Sequence, residues 1–125
     1  MDEAAERVVR EVVDAGLKVH RALGPGLLEA AYEHCLAYEL ECRRLRVERQ
    51  LPLPIVYEDL RLEGAYRLDL LVDRCVIVEV KAVEALSRLH EAQLLTYMRL
   101  SGHRLGLLMN FNVELLKQGL RRLVL

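Results

Sequence analysis

Residues 66–81 of the chain read YRLDLLVDRCVIVEVK, and this stretch decides the fold. Apolar residues alternate with polar ones on both sides of a short polar segment, which is the pattern of two antiparallel strands joined by a tight loop. A three-residue loop, Asp73 to Cys75, lets the two apolar sets share one face and sets Asp69 opposite Glu79. A two-residue loop would set Asp69 opposite Val78 and mix charged with apolar side chains. The three-residue loop is therefore predicted.

This register gives the hairpin one apolar face and one polar face. The apolar face collects alternate residues of both strands, namely Leu68, Leu70, Val72, Val76, Val78 and Val80. The other face carries four charged residues, Arg67, Asp69, Glu79 and Lys81, with Leu71 and Ile77 beyond them. A strand that is covered on both sides is normally apolar throughout. The charged residues therefore need an explanation.

Two carboxylates on neighbouring strands are explained if they bind a cation. Their Cβ atoms would lie about 5 Å apart, where the two charges repel unless a cation or a proton intervenes. Oxygen ligands suit Mg²⁺ or Mn²⁺. Lys81 points to the same side as Glu79 and could orient or deprotonate a water, or stabilise charge on a phosphate. The alternative is a solvent-facing sheet surface with ordinary ion pairs, and the hairpin pattern alone leaves both open.

Two helices are predicted before the hairpin and one after it. Apolar residues recur at three- and four-residue intervals over residues 3–21, 27–44 and 88–100. The segment Gly24-Pro25-Gly26 ends the first helix, because glycine and proline supply turn dihedrals that a continuing helix cannot adopt. One or two further helical turns are predicted within residues 113–118.

The strands are predicted from alternation with a period of two and from short buried runs. An edge strand is expected over residues 47–57, because Pro52 and Pro54 lack backbone donors. The other predicted strands are residues 60–72 with a bulge at Gly64, 76–81, 105–109 and 120–124. The order α-α-β-β-β-α-β predicts an α/β fold, with a single mixed β-sheet flanked by helices.

Composition restricts the kind of protein. A length of 125 residues with 53% hydrophobic and 30% charged residues predicts one folded domain over residues 1–125. The net charge of -1 argues against a protein that holds nucleic acid by bulk positive charge. No apolar run approaches the roughly 20 residues of a membrane-spanning helix, and the acidic N-terminus leads us to expect a cytoplasmic protein. Cys35, Cys42 and Cys75 are expected to be free thiols.

Three short sequence motifs follow one another along the chain. Residues 26–32, GLLEAAY, contain G-x-x-E-x-x-Y; Asp69 followed by Glu79, Val80 and Lys81 gives D…ExK; and residues 93–97 give Q-x-x-x-Y. On these motifs, from about Val12 to Val124, the chain resembles the PD-(D/E)XK nuclease superfamily, and within it the GxxExxY proteins and RecB-like members. The one departure is Leu68, which stands where the superfamily name places proline.

The resemblance implies a restriction-endonuclease-like core and a metal-dependent nuclease site. Asp69 and Glu79 would bind Mg²⁺ or Mn²⁺ together with the Val80 carbonyl, and Lys81 would be the catalytic lysine. Glu29 would reach the same site from the second helix, either completing metal coordination through water or holding Lys81. The implied reaction is hydrolysis of a phosphodiester by metal-activated water.

The resemblance also implies substrate-binding residues and partners. Gln93 and Tyr97 would line the site from one helix face, Arg67 would contact substrate, and Tyr32 would belong to the binding residues unless it is a core aromatic. The implied partner is DNA or RNA, and the small size of the chain leads us to expect a homodimer or a protein partner. The alternative function is a nuclease-fold module that binds nucleic acid or a protein without cleaving.

Overall fold

The computed structural model describes residues 2–125, and over these residues the chain forms three α-helices, seven strands and one short 3-10 helix. The elements in chain order are α1 (Glu3–Leu23), α2 (Glu29–Cys42), β1 (Val47–Pro52), β2 (Ile55–Tyr57), β3 (Leu60–Leu62), β4 (Arg67–Val72), β5 (Val76–Lys81), α3 (Arg88–Ser101), β6 (Leu105–Asn110), the 3-10 helix (Leu116–Gly119) and β7 (Leu120–Val124).

The helix boundaries follow from their capping residues. The Asp2 side chain accepts a hydrogen bond from the Ala5 amide and begins α1, and the Ser87 side chain begins α3 in the same way. Helix α2 begins at Glu29 instead of residue 27, because Gly26 has a φ of 106° and Leu28 is extended. It ends at Cys42, two residues earlier than predicted, because Arg44 has a left-handed φ of 65°.

Five strands form the central sheet in the order β1-β4-β5-β6-β7. Strands β5 and β6 are parallel, and the other neighbouring strands are antiparallel. The connection between β5 and β6 passes through α3, as a parallel pair requires. The predicted α/β fold with a mixed sheet flanked by helices is confirmed.

The two long strands predicted before β5 are each divided in two. Residues 47–57 form β1 and β2, and residues 60–72 form β3 and β4. Strands β2 and β3 pair only with each other, across a turn at Glu58-Asp59. The division follows from Pro52 and Pro54, which cannot donate to a continuous ladder. The predicted bulge at Gly64 is replaced by an irregular segment between β3 and β4, in which Gly64 has a left-handed φ of 78°. A small hairpin therefore projects beside the central sheet.

Two apolar clusters lie on the two faces of the sheet. Helices α1 and α2 cover the larger cluster, which includes Leu70, Val78 and Val80, and α3 covers the smaller one, which includes Ile77. Leu68 packs in the smaller cluster and not beside Leu70 as predicted. The reason lies in the neighbouring strand, where the ladder between β1 and β4 omits Gln50 and Asp69 and Gln50 has a φ of 52°.

No helix within residues 2–125 combines the length and the apolar character that crossing a bilayer requires. The cysteines Cys35, Cys42 and Cys75 are all free thiols, as predicted.

Candidate active site

The β4–β5 hairpin has the register that its sequence predicts. Leu70 pairs with Val78 and Val72 with Val76, so the loop contains three residues and Asp69 faces Glu79. The paired residues end at Leu70 and Val78. Beyond that point side chains replace backbone partners: the Asp69 amide donates to Glu79 Oε1 at 3.1 Å, and the Val80 amide donates to Asp69 Oδ2 at 2.9 Å. The two carboxyl groups are therefore held together between the strands.

The environment of these carboxyl groups favours protonation. Glu79 is 5% exposed, and burial together with the charge of Asp69 raises the pKa of Glu79 to about 8. Burial also raises the pKa of Asp69, with a further contribution from the charge of Glu33, although the hydrogen bond from the Val80 amide opposes the shift. Two carboxylates in a poorly solvated site cannot both ionise without cost. A proton or a cation relieves that cost.

The hydrogen bonds of β5 indicate the side of the strand to which the Val80 carbonyl points. The Lys81 carbonyl accepts from the Phe111 amide on the β6 side, whereas the Val80 amide bonds Asp69 on the β4 side. The amide and carbonyl of one strand residue point towards the same neighbouring strand. The Val80 carbonyl is therefore directed towards Asp69.

Lys81 and Glu29 lie at the end of β5. Lys81 is half-buried and forms no ion pair within the described chain, residues 2–125. Glu29, the first residue of α2, is exposed, and its Oε2 accepts from the Ala82 amide at 3.1 Å. Glu29 and Asp69 line the same cavity, of about 350 Å³. Helix α2 thus places the carboxylate of Glu29 against the backbone of Ala82, the residue that follows Lys81.

Three residues that were not predicted as part of the site complete one of its walls. Glu33 is buried, and its carboxylate accepts from Arg49 at 2.8 Å and from the Gln50 amide group at 2.7 Å. Gln50 also approaches Asp69 Oδ1 at 3.5 Å. Glu33 follows Glu29 by four residues on α2, which was the one available sign that it shares the same helix face.

Helix α3 forms the opposite wall. The Gln93 side-chain amide donates to the Tyr97 hydroxyl at 3.0 Å, and Tyr97 meets Tyr66 edge to face at 6.1 Å. Burial raises the pKa of Tyr97, and the negative charge of Glu79 adds to the shift. Tyr97 is therefore close enough to Glu79 to be affected by its charge, and Gln93 contacts Tyr97. Arg67 is exposed at the start of β4 and donates to the Gln50 carbonyl at 3.4 Å.

Tyr32 lies in the core, which agrees with the alternative that it is a core aromatic. Its side chain is 0% exposed and stacks on Phe111, with ring centroids 4.7 Å apart. The hydroxyl donates to the Gly24 carbonyl and accepts from the Leu27 amide. These two hydrogen bonds hold the turn before α2 and so fix the position of Glu29 at the start of that helix.

Within residues 2–125, no three His, Cys, Asp or Glu side chains form a group that could hold a metal ion. A metal site at Asp69 and Glu79 would therefore consist of two carboxylates completed by a backbone oxygen and water.

Comparison with known proteins gives one match. A family model described as the PD-(D/E)XK nuclease superfamily matches residues 6–123. No curated protein and no solved structure matches the chain significantly.

Proposed function

The chain belongs to the PD-(D/E)XK nuclease superfamily, and on that premise we propose that it is a divalent-metal-dependent nuclease that hydrolyses phosphodiester bonds in DNA or RNA. The observation that carries the proposal is the contact between Asp69 and Glu79 at the point where strand pairing stops, with Lys81 two residues further along the same strand. The motif at residues 26–32 supports placing the chain among the GxxExxY proteins.

The donor atoms at this position fit Mg²⁺ or Mn²⁺. The ligands would be the carboxylates of Asp69 and Glu79 and the Val80 carbonyl, and hard oxygen donors completed by water suit both ions. Burial and the charge of Asp69 both raise the pKa of Glu79, and a bound cation would offset the cost of ionising the two carboxyl groups. When bound, the metal supplies an activated water and stabilises negative charge on the phosphate.

The remaining side chains position substrate and protons. The Lys81 ammonium group has no carboxylate partner in residues 2–125, so it is available to the phosphate or to the attacking water. Glu29 holds the backbone after Lys81 through the Ala82 amide, which supports the proposal that it orients the lysine. Gln93, Tyr97 and Arg67 are proposed to contact substrate.

A nuclease-fold module that binds nucleic acid or a protein without cleavage is the second candidate. The net charge of -1 favours a protein partner for such a module, because it gives little overall attraction to a polyanion. Metal binding and cleavage decide between the two functions.

Metal binding is the first test of the proposed function. We expect titration calorimetry to detect one Mg²⁺ or Mn²⁺ site in the wild-type protein and none in Asp69→Ala, because that substitution removes a ligand and the acceptor for the Val80 amide. Glu48→Ala is a suitable control, since Glu48 lies on the edge strand and pairs with Arg46, outside the site. Absence of metal binding by the wild-type protein would favour the non-cleaving module.

Gln50 is expected to tune metal affinity through Asp69. Removing a residue that orients a metal ligand typically weakens metal binding about 10- to 100-fold, and we expect an effect near the lower figure for Gln50→Gly, because the contact with Asp69 is long. Glycine also suits the φ of 52°, so the backbone is not disturbed.

The matched control is Glu58→Gly, which relieves a left-handed φ of 51° in the turn between β2 and β3, away from the carboxyl groups. Calorimetry should show a changed metal affinity only for Gln50→Gly. Equal metal affinities for Gln50→Gly and the wild-type protein would refute the role of Gln50.

A further inference from the structure

A groove of about 680 Å³ begins at Lys81 and runs along the exposed face of α3. Residues from α3, from β2 and from the segment before β4 line it, among them Ile55, Tyr66, Leu89, Gln93, Tyr97 and Leu100. Pockets of about 300–1,000 Å³ bury small organic molecules. The groove can therefore take one or two nucleotide bases, but not the cross-section of a duplex.

The walls of the groove are mainly apolar and aromatic. Tyr66 is 42% exposed, Leu89 is 77% exposed, and the ring of Tyr97 forms an edge contact with Tyr66 at the inner end. Exposed aromatic and aliphatic side chains next to a phosphate-cleaving site do not help to bind phosphate. They do match the faces of unpaired bases, which stack on aromatic rings irrespective of sequence.

Positive charge is scarce along the same groove. Of the residues that line it, Lys81 is the one with a full charge at neutral pH, and it lies at the catalytic end. A duplex hides its bases and presents two rows of phosphates, so a protein that grips it needs several cationic contacts. The groove instead offers one cation for the phosphate and an apolar surface for the base of the same nucleotide.

We infer that the substrate is single-stranded nucleic acid, or a strand with unpaired bases, and that a base next to the cleaved phosphate lies in the groove against Tyr66. This inference rests on the proposed nuclease function. Polar groups of His90, Gln93 and Thr96 also line the groove and can bond base edges. These contacts would give a modest preference for some bases over others, without recognition of a defined sequence.

Binding of defined oligonucleotides tests the inference. Fluorescence anisotropy of the wild-type protein in EDTA, which prevents metal-dependent cleavage and keeps Lys81, would compare labelled single strands of about 12 nucleotides, a length within the footprints of single-strand-binding grooves. The probes are DNA, RNA, the matching duplex, and a DNA strand whose central nucleotides are abasic. We expect a single strand with bases to bind at least about tenfold more tightly than the duplex or the abasic strand, since each stacked base contributes about 1–3 kcal/mol.

Substitutions at Tyr66 locate the contact. Tyr66→Ala should weaken binding of the single strand about 5- to 150-fold, the loss of one stacked base, whereas Tyr66→Phe should retain it. Tyr38→Ala is the control, because Tyr38 is an exposed tyrosine on α2 that does not line the groove. Leu89→Asp places a negative charge at the exposed mouth of the groove and should weaken binding without affecting the core.

The outcomes separate this inference from the proposed function. Cleavage of duplex in preference to single strands, or unchanged binding by both Tyr66→Ala and Leu89→Asp, would overturn the inference while the nuclease function stands. A wild-type protein that neither binds Mg²⁺ or Mn²⁺ nor cleaves any probe overturns the function itself, whatever the binding results. Preference for the DNA or for the RNA strand identifies the sugar and supports the inference in either case.

Discussion

The Lys81→Met protein is expected to cleave nucleic acid about 10²- to 10⁴-fold more slowly than the wild-type protein, the range that a positioned proton-transferring or charge-stabilising group contributes. Methionine keeps the length and apolar stem of the side chain but removes the ammonium group. Because Lys81 has no ion-pair partner in residues 2–125, its loss should leave the folded state intact. The measurement is single-turnover cleavage of a labelled strand in Mg²⁺.

Two further lysine variants test which role Lys81 has and whether the effect is specific to it. Lys81→Arg retains the charge but is a poor proton acceptor, so partial activity would indicate charge stabilisation and inactivity would indicate proton transfer. Lys117→Met is the matched control, because Lys117 is exposed in the 3-10 helix outside the site. Calorimetry should show metal binding in all three variants. Wild-type cleavage rates in Lys81→Met would exclude the proposed role of this lysine.

The metal-free protein should lose stability as the pH rises, because of Glu79. Its pKa in the folded chain is raised from the ordinary 4.5 to about 8, so the folded state holds a proton that the unfolded chain releases. The contribution of Glu79 to stability is therefore full below about pH 4.5 and is lost as the pH rises to about 8, by on the order of 5 kcal/mol at about 1.4 kcal/mol per pH unit. Asp69, whose pKa is also raised, changes stability in the same direction.

Urea unfolding in EDTA at about pH 5.5, 7 and 8.5 measures this effect, with the slope interpreted by proton linkage. Glu79→Gln carries a permanent neutral donor in place of the protonated acid, so its stability should depend much less on pH than that of the wild-type protein. Added Mg²⁺ should restore stability to the wild-type protein at high pH and have no effect on Glu79→Gln. Identical pH profiles for the two proteins would show that Glu79 does not carry the buried proton.

The register of the hairpin was predictable because its strands are close in sequence and its apolar residues permit only one arrangement. The strict alternation on both strands requires the three-residue loop, and that loop brings Asp69 and Glu79 together. The helices were predictable for a similar reason, since their apolar spacing and glycine stops are local signals. The alternation predicted the wrong face for Leu68, because the irregular backbone of Gln50 on the neighbouring strand changes the pairing there.

The second wall of the site was not predictable, because its contacts join distant parts of the chain. Glu33 and Gln50 are 17 residues apart, and Glu29 reaches an amide 53 residues away. A sequence pattern records which face of an element is apolar, but not which element packs on that face. Tyr32 shows the same difficulty, since the motif around it does not reveal that Phe111 takes its ring into the core.

The sequence by itself determined the α/β fold, the mixed sheet and the register that sets Asp69 opposite Glu79, because periodicity and short loops act over a few residues. Only the tertiary structure decided that the strand ladder ends at these carboxylates, that Gln50 lies between Glu33 and Asp69, and that a groove with few charges leads away from Lys81. Those features depend on how α2, α3 and the edge strand pack around the sheet, and packing between distant segments leaves no periodic trace in the chain.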